Sequence, residues 1–280
     1  MKRKSFIKKG LLGSAALSIG LGTYAWQIEP YWLEFVTLGM PIKNLPSKLV
    51  GKTLMQISDI HVGNRFDWNY IIDSFQKAQK YKPDFVVYTG DFVNWENEEQ
   101  YTQLQKVMMH AVCGELASIA ILGNHDYGKN FQEQEVANNI SNLLKNAGID
   151  VLRNEKKNYF GLDIIGIDDL WGTNFFPEPV MKTLNKTNPQ IALCHNPDVC
   201  DLPIWEQFEG WILSGHTHGG QVKPPFLPPF ILPVKNKRYA AGKVELDAKR
   251  TLYINRALGN LFPVRCNVRP EITIFHLGEQ

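Results

Sequence analysis

A short apolar run followed by polar residues begins at Thr53 and reads TLMQISDIH through His61. The apolar part, Thr53–Ser58, is typical of a buried β-strand because it is short and bounded by polar residues. The polar end carries an aspartate and a histidine separated by one residue, Asp59 and His61. If extended geometry persists there, both side chains project to the same side. The stretch therefore predicts a strand that ends in a pair of potential metal ligands.

The same arrangement recurs twice further along the chain. A predicted strand at Asp84–Thr89 is followed by Gly90 and Asp91, and one at Ser118–Leu122 is followed by GNHD at Gly123–Asp126. Apolar residues at helical spacing predict helices between and after these strands, at Trp68–Tyr81, Tyr101–Cys113 and Phe131–Ala147. The alternation of strands and helices indicates an α/β domain that begins with a parallel sheet.

The second half of the chain has shorter β-like runs and fewer helices, of which Val180–Asn185 and Pro203–Gln207 are candidates. This pattern predicts a more antiparallel second sheet. His195 and the GHTH motif at Gly215–His218 each follow one of these runs. Because no internal repeat or low-complexity linker is evident, we expect residues 49–280 to form one catalytic domain, preceded by a connecting segment at 31–48 and an N-terminal signal or anchor at 1–30.

Five motifs thus carry the chemistry, and three of them come directly after a predicted strand. The carboxyl ends of strands in an open α/β sheet line the ligand crevice, so these side chains should converge. Carboxylates and imidazoles suit Mn, Fe or Zn, and two such ions require one ligand that can bridge them. Asp91 is the expected bridge, because a carboxylate can bind two ions and a neutral imidazole cannot. Further potential ligands are Asn124, His195, His216 and His218.

The ordered set D-x-H, G-D, G-N-H-D, H and G-H-T-H resembles the calcineurin-like metallophosphoesterase superfamily over roughly residues 53–220. Residues 215–222 and 264–272 resemble its bacterial membrane-associated or wall-associated branch. The resemblance implies an α/β (α+β) fold, a four-layer sandwich of two mixed β-sheets flanked by helices. It also implies two divalent metal ions, of which one is held by Asp59, His61, Asp91 and His218, and the other by Asp91, Asn124, His195 and His216.

A metal-bridging hydroxide is the expected nucleophile, because two cations lower the pKa of a shared water. His125 is expected to stabilise or protonate the leaving oxygen, a role that the resemblance also assigns to it. Asp126 could orient the His125 imidazole through its other nitrogen. Arg65 follows the first motif and is either a substrate contact or a surface residue. Arg265 and Arg269 lie four apart in a β-like run and could form a rim for an anionic substrate.

The N-terminus combines a basic head with an apolar run. Five cations lie within the first nine residues, and Gly10–Ile28 carries no charge. A membrane-spanning helix needs about 20 apolar residues and a secretory signal about 7–15, so this segment fits either an uncleaved anchor or a removed signal. The basic flank predicts that the catalytic domain lies on the outer side of a membrane. Arg3–Lys8 is a loose relative of a twin-arginine signal, which leaves the export route open.

Several functions remain open at this level. The main expectation is a phosphodiesterase or phosphomonoesterase at a membrane or cell envelope, acting on a phosphoester that is lipid-linked or derived from the cell wall. A UDP-2,3-diacylglucosamine pyrophosphatase-like lipid enzyme is the alternative, suggested by the anchor and by the proline-rich segment Pro224–Pro233, which is either a strap over the core or an exposed lip. The net charge of +2 gives little support for a nuclease. A non-catalytic scaffold is disfavoured because every ligand position is filled. The oligomeric state stays open.

Overall fold

The computed structural model describes Ser14 and residues 18–280. The basic head of the expected signal or anchor, Lys2–Lys9, lies outside the described residues. The chain is helical from residue 18 to Tyr31 and then enters the first strand. Within the part of the chain that the structure describes, no helix has both the length and the apolar character needed to cross a membrane.

Twelve strands form two six-stranded sheets, and four α-helices accompany them among the described residues. The strands are β1 (Glu34–Ile42), β2 (Thr53–Ile57), β3 (Phe85–Thr89), β4 (Ala117–Ile121), β5 (Asp150–Val151), β6 (Glu155–Tyr159), β7 (Leu162–Ile167), β8 (Gln190–Cys194), β9 (Gly210–Ser214), β10 (Gly242–Glu245), β11 (Arg250–Ile254) and β12 (Glu271–Glu279). The helices are α1 (Trp68–Gln79), α2 (Glu99–Met108), α3 (Gln134–Asn146) and α4 (Glu178–Met181).

Both sheets are mixed, and each has a parallel centre. The first sheet has the order β1-β12-β2-β3-β4-β5, in which β12 runs antiparallel to β2 and parallel to β1. The second has the order β10-β11-β9-β8-β7-β6, in which only the outer strands β10 and β6 pair in antiparallel fashion. Consequently β2, β3 and β4 of one sheet, and β8 and β9 of the other, all present their carboxyl ends to loops that carry the sequence motifs.

The layers are held together by three apolar clusters. Helices α1, α2 and α3 bury their apolar faces against one side of the first sheet, for example through Phe75, Leu104 and Ile140. A second cluster fills the space between the two sheets, and a third covers the outer face of the second sheet beneath α4 and neighbouring turns. This helix–sheet–sheet–helix arrangement confirms the expected four-layer sandwich. The helical layer over the second sheet is thin, because few residues in that half are helical.

The structure corrects two expectations about the chain's organisation. Residues 31–48 do not form a connecting segment, because Glu34–Ile42 pairs along its whole length with Glu271–Glu279 as an edge strand of the first sheet. Burial alternates over Val36–Ile42, but Gly39 and Pro41, which strands disfavour, occupy two of the exposed positions and mask the pattern in the sequence. The predicted helix at Pro203–Gln207 is also wrong, since these residues form successive turns.

The proline-rich segment Pro224–Pro233 is an exposed lip rather than a strap. Phe226 and Ile231 are 104% and 79% exposed, and Leu232 near the end of the segment is buried. The segment therefore packs against the body only at its base. We call Pro224–Pro233 the lip below.

Candidate metal centre

The loops that follow the parallel strands carry the seven predicted ligands, and five of these residues have an unusual backbone conformation. Positive φ angles of 51° at Asp59, 46° at His61, 55° at Asp91, 70° at His216 and 51° at His218 place five of them in the left-handed region. Such a conformation costs a non-glycine residue about 1–3 kcal/mol and persists only where the surroundings enforce it. All seven residues are buried. The strained backbone therefore lowers the stability of the fold, and it directs these side chains towards one place.

Two groups of ligand atoms meet in the crevice, with Asp91 between them. The Nε2 atoms of His61 and His218 are 3.0 Å apart, and His218 Nε2 lies 3.3 Å from Asp59 Oδ1. On the other side, His216 Nδ1 lies 3.3 Å from His195 Nε2. Asp91 Oδ2 is 3.6 Å from His61 Nε2 in the first group and 3.2 Å from His195 Nε2 in the second. One carboxylate oxygen therefore faces both groups.

Main-chain carbonyl groups determine which nitrogen of two histidines faces inward. His195 Nδ1 lies 2.7 Å from the carbonyl oxygen of Thr89, and His216 Nε2 lies 3.0 Å from that of Pro233. A carbonyl accepts but cannot donate, so each of these nitrogens carries the proton. In the neutral rings, the other nitrogens, His195 Nε2 and His216 Nδ1, point lone pairs at each other and at Asp91. Such a cluster of acceptors is stable only around a cation or an added proton.

Burial and charge favour metal binding at this cluster. Burial lowers the pKa of His216 to about 3, which keeps its ring neutral and available as a ligand. Burial also opposes charge on His195, but Asp91 and Asp59 raise the pKa of that ring above its ordinary value and attract a metal ion for the same reason. Burial alone would raise the pKa of Asp91, yet the His195 and His125 rings hold it well below its ordinary range.

Asn124 provides an independent test of the fit. Its Oδ1 atom is buried and has no hydrogen-bond partner among the described residues. A buried polar atom without a partner costs about 1–3 kcal/mol, so an oxygen held in this way in the loop that also carries His125 fits a metal ligand. His61 and His218 likewise each have one buried ring nitrogen without a partner in the described structure. The donor set of carboxylate, amide and imidazole groups fits divalent transition metals.

His125 differs from the other histidines of the centre because it is only partly buried. Its ring lies edge-on to His61 at 5.1 Å between centroids, and one of its nitrogens lies within 4.8 Å of ligand atoms of His61 and Asp91. Its main-chain N–H donates to Asp91 Oδ1 at 2.9 Å. The residue is thus fixed to the expected bridging ligand through its backbone, while its ring borders the open side of the crevice.

Asp126 does not make the expected contact with the His125 ring. Its carboxylate instead accepts hydrogen bonds from the main-chain N–H groups of Phe92, Val93 and Gly123, at 2.8, 3.2 and 2.9 Å. These three donors belong to the loops after β3 and β4. Asp126 therefore ties together the two loops that carry Asp91 and Asn124, and it acts on the backbone rather than on the imidazole.

A comparison with known protein families finds a match over the part of the chain that carries the predicted ligands. The family described as calcineurin-like phosphoesterase matches residues 52–220, which contain all seven of these side chains. The chain belongs to the calcineurin-like phosphoesterase family. As a member of this family it is a metal-dependent phosphohydrolase. The His and Asp cluster described above fits the binding of a divalent metal.

Three relatives in the calcineurin-like phosphoesterase family resemble nearly the whole chain. An uncharacterized metallophosphoesterase of Bacillus subtilis, YkuE, is 30% identical over 99% of this chain and 98% of its own length. The Escherichia coli phosphodiesterase YaeI is 28% identical over 99% of both chains. The UDP-2,3-diacylglucosamine pyrophosphatase LpxG of Chlamydia muridarum is 26% identical over 90% of this chain and 92% of its own length.

An aromatic wall beside the phosphoesterase centre escaped the sequence analysis. Trp171 lies edge-on to His216 at 4.6 Å between centroids and stacks on Phe131 at 5.9 Å. Phe131 in turn lies edge-on to His125 at 5.3 Å. Phe131 lies in a loop that follows a strand of the first sheet, and Trp171 lies in a loop that follows a strand of the second sheet. Nothing in the local sequence of either residue therefore indicates that the two meet. Ser58, which donates to Asp59 Oδ2 at 2.5 Å, could have been noticed from its position directly before the first ligand.

The three arginines proposed as substrate contacts lie outside the metal cluster. Arg65 is an exposed residue that pairs with Glu96 at 2.7 Å. Arg269 pairs with Glu34 and lies over the Trp32 ring at 4.8 Å. Arg265 is completely buried and donates to Asn260 and to the main-chain carbonyl groups of Arg256, Ala257, Gly259 and Val268.

The expected rim of Arg265 and Arg269 is therefore wrong. The two residues do not lie on one face of a strand, because Asn267 between them has a φ of 60° and turns the chain. This turn directs Arg265 inward, where it acts as a structural cation.

Proposed function

We propose that this phosphohydrolase binds two divalent ions that share Asp91. The observation that carries the proposal is the position of Asp91 Oδ2, 3.6 Å from His61 Nε2 in one ligand group and 3.2 Å from His195 Nε2 in the other. Asp59, His61 and His218 would complete one site, and Asn124, His195 and His216 the other. Mn, Fe and Zn all suit this mixture of oxygen and nitrogen donors. Such a pair of ions, when bound, supplies an activated water at neutral pH and neutralises phosphoryl charge.

The chain's own residues set the geometry of the reaction. Thr89 and Pro233 hold the His195 and His216 rings through their outer nitrogens, so the inner nitrogens cannot rotate away. His125 borders the open side of the crevice and is the group that we assign to the leaving oxygen. A protonated ring nitrogen would donate there as the phosphorus–oxygen bond breaks. The partly buried position excludes some water while leaving room for a substrate.

For the substrate, we propose a phosphodiester or phosphomonoester that is lipid-linked or derived from the cell wall. The apolar lip and the basic N-terminal segment favour action at a membrane or cell envelope, with the catalytic domain on the outer side. A UDP-2,3-diacylglucosamine pyrophosphatase-like activity is the second candidate, supported by the similarity to the chlamydial LpxG enzyme along most of both chains. A nuclease is less favoured because the net charge of +2 provides no strong field for a polyanion.

Metal analysis followed by a turnover screen tests these proposals. We expect two divalent ions per chain by elemental analysis of protein purified without chelator, and hydrolysis that chelation abolishes and metal addition restores. The screen compares nitrophenyl monoesters and diesters, UDP-2,3-diacylglucosamine and wall-polymer fragments. One ion per chain at full activity contradicts the dinuclear proposal. A strong preference for the UDP-linked lipid selects the second candidate over the first.

A further inference from the structure

The lip exposes more apolar surface than its own packing requires. Phe226, Phe230 and Ile231 are 104%, 76% and 79% exposed, and Leu227 between them is 53% exposed. Apolar groups that remain together in solvent mark a surface that another phase or molecule covers. The four prolines and two phenylalanines of PPFLPPF at 224–230 make the tip stiff as well as apolar.

The base of the lip is built onto the metal centre. The lip follows closely after His218, and a Cβ atom at Gly220 would lie 2.4 Å from Pro229 Cβ, so the two ends of the loop are packed tightly. At the far end, the carbonyl oxygen of Pro233 accepts from His216 Nε2 at 3.0 Å. Lys237 Nζ also donates to the Leu232 carbonyl at 2.9 Å. The position of the tip is therefore fixed relative to two metal-binding histidines.

The segment around the lip is basic, as is the N-terminal head of the chain. Residues 221–242 contain four basic residues and no acidic residue, whereas the whole chain carries a net charge of only +2. These four side chains are exposed, and they are Lys223, Lys235, Lys237 and Arg238. An apolar tip flanked by cations is complementary to an anionic lipid surface, which attracts basic residues that lie close to it.

The N-terminal segment reaches the body at the root of the same lip. Arg265 N–H donates to the Ala25 carbonyl at 2.8 Å, and the next residue, Cys266, exchanges main-chain hydrogen bonds with Gln221 and Lys223, each at 2.9 Å. Further exposed apolar side chains belong to this region: Trp26, Ile28 and Phe262. The described segment Ala25–Ile28 and the lip therefore meet on one side of the molecule.

We propose that the lip inserts its aromatic tip into an anionic phospholipid bilayer and so holds the metal centre at the membrane surface. A second copy of the chain is a poorer occupant, because a symmetric contact between two lips would bring four cations against four. A bilayer instead receives the apolar tip and attracts the basic flanks at once. The proposal extends the proposed function by giving the enzyme a second membrane contact besides its N-terminal segment, and it does not depend on which phosphoester is cleaved.

An environment-sensitive fluorophore on the full-length chain tests the contact. The label is attached at Phe226→Cys in a Cys113→Ser, Cys266→Ser background, and vesicles of phosphatidylglycerol and phosphatidylcholine are added. The matched control carries the label on Cys113, which is exposed and follows α2 near the amino ends of β3 and β4, opposite the metal centre. We expect a blue shift and quenching by spin-labelled lipid for the label at position 226 and neither effect for the label on Cys113. Vesicles of phosphatidylcholine alone should give a weaker response at position 226.

Several outcomes overturn the proposal. The N-terminal segment alone can hold the chain on vesicles, so a label at position 226 that stays in water while the protein sediments with the vesicles contradicts lip insertion. A response that appears without vesicles and grows with protein concentration identifies a second copy as the occupant and also contradicts it. Because the fluorescence needs no turnover, an inactive preparation would refute the proposed hydrolase without affecting this test.

Discussion

His195 Nδ1 lies 2.7 Å from the carbonyl oxygen of Thr89, so the end of one sheet's central strand fixes a ligand that belongs to the other sheet. This contact orients Nε2 toward Asp91. The metal centre therefore depends on the packing of the two sheets against each other and not on either sheet alone. Substitutions at this interface should separate metal binding from folding.

His195→Asn should lose metal and activity while keeping the fold. The shorter amide can still donate to Thr89, but it has no atom in the place of Nε2. We expect less than half of the parent metal content by elemental analysis and a fall in kcat/KM of more than 100-fold. His276→Ala, at an exposed position on β12, is the matched control and should change neither quantity. Parent-like metal content in the asparagine variant would exclude His195 as a ligand.

His125→Ala should keep both metals and lose most turnover. General acid catalysis contributes about 10²–10⁴-fold, and its contribution is largest when the leaving group is a poor one. We therefore expect a greater loss of kcat for an alkyl phosphodiester than for a nitrophenyl diester, with unchanged metal content. Equal losses for both substrates would exclude protonation of the leaving oxygen by His125, and loss of a metal ion would show that the ring is a ligand instead.

Gly215→Ala should displace the Asp59 carboxylate in the first ligand group and so weaken metal binding. A Cβ atom at this position would lie 2.0 Å from Ser58 Oγ and 2.2 Å from Asp59 Oδ2, so the Asp59 carboxylate has to move. We expect metal affinity to fall at least tenfold in a chelator competition assay. Gly278→Ala on β12 meets no atom within 4 Å and serves as the control. An unchanged affinity would mean that Asp59 is not needed for metal binding.

Arg265→Met should destabilise the protein without a specific effect on KM. The substitution leaves several buried carbonyl groups without their donor, and breaking such a buried network costs about 3–5 kcal/mol. We expect the free energy of unfolding, measured in urea, to fall by a corresponding amount. The KM at low temperature should stay close to the parent value. Arg65→Met, at an exposed ion pair, should cost less than about 1 kcal/mol. A raised KM with normal stability would restore Arg265 as a substrate contact.

Asp84→Asn should lower the free energy of unfolding at neutral pH, and this effect should disappear in acid. The Asp84 carboxylate accepts from Thr53 N–H at 2.8 Å and lies 2.8 Å from Lys52 Nζ, and these contacts lower its pKa although partial burial opposes them. A lowered pKa stabilises the folded state above the unfolded value of 3.8, and this stability disappears as the pH falls through the folded pKa.

We expect a difference of about 1–2 kcal/mol between Asp84→Asn and the parent at pH 7, narrowing steadily below pH 4 in parallel urea titrations. A difference that is independent of pH would assign the effect to packing instead of to the carboxylate charge.

The sequence predicts the centre of this protein better than its edges. The buried apolar runs before Asp59 and Asp91 are short and bounded by polar, proline or glycine residues, as strands are, and β2 and β3 match them closely. Strand β1 was missed because Gly39 and Pro41, which strands disfavour, interrupt its alternating apolar positions. The ligand motifs were recognisable only as an ordered set, because glycine and polar residues after any single strand are common. Trp171 and the carbonyl of Pro233 could not be predicted, since their roles depend on contacts between distant loops.

The order of strands in the first sheet has a consequence for biosynthesis. Strand β12, at residues 271–279, lies between β1 and β2, which are made more than 200 residues earlier. A nascent chain therefore keeps an open, pairing-competent edge on β2 until β12 has been synthesised. We expect ribosome-arrested chains that end before residue 271 to remain protease-sensitive and to recruit holdase chaperones, whereas release of the last strand closes the sheet in one late step.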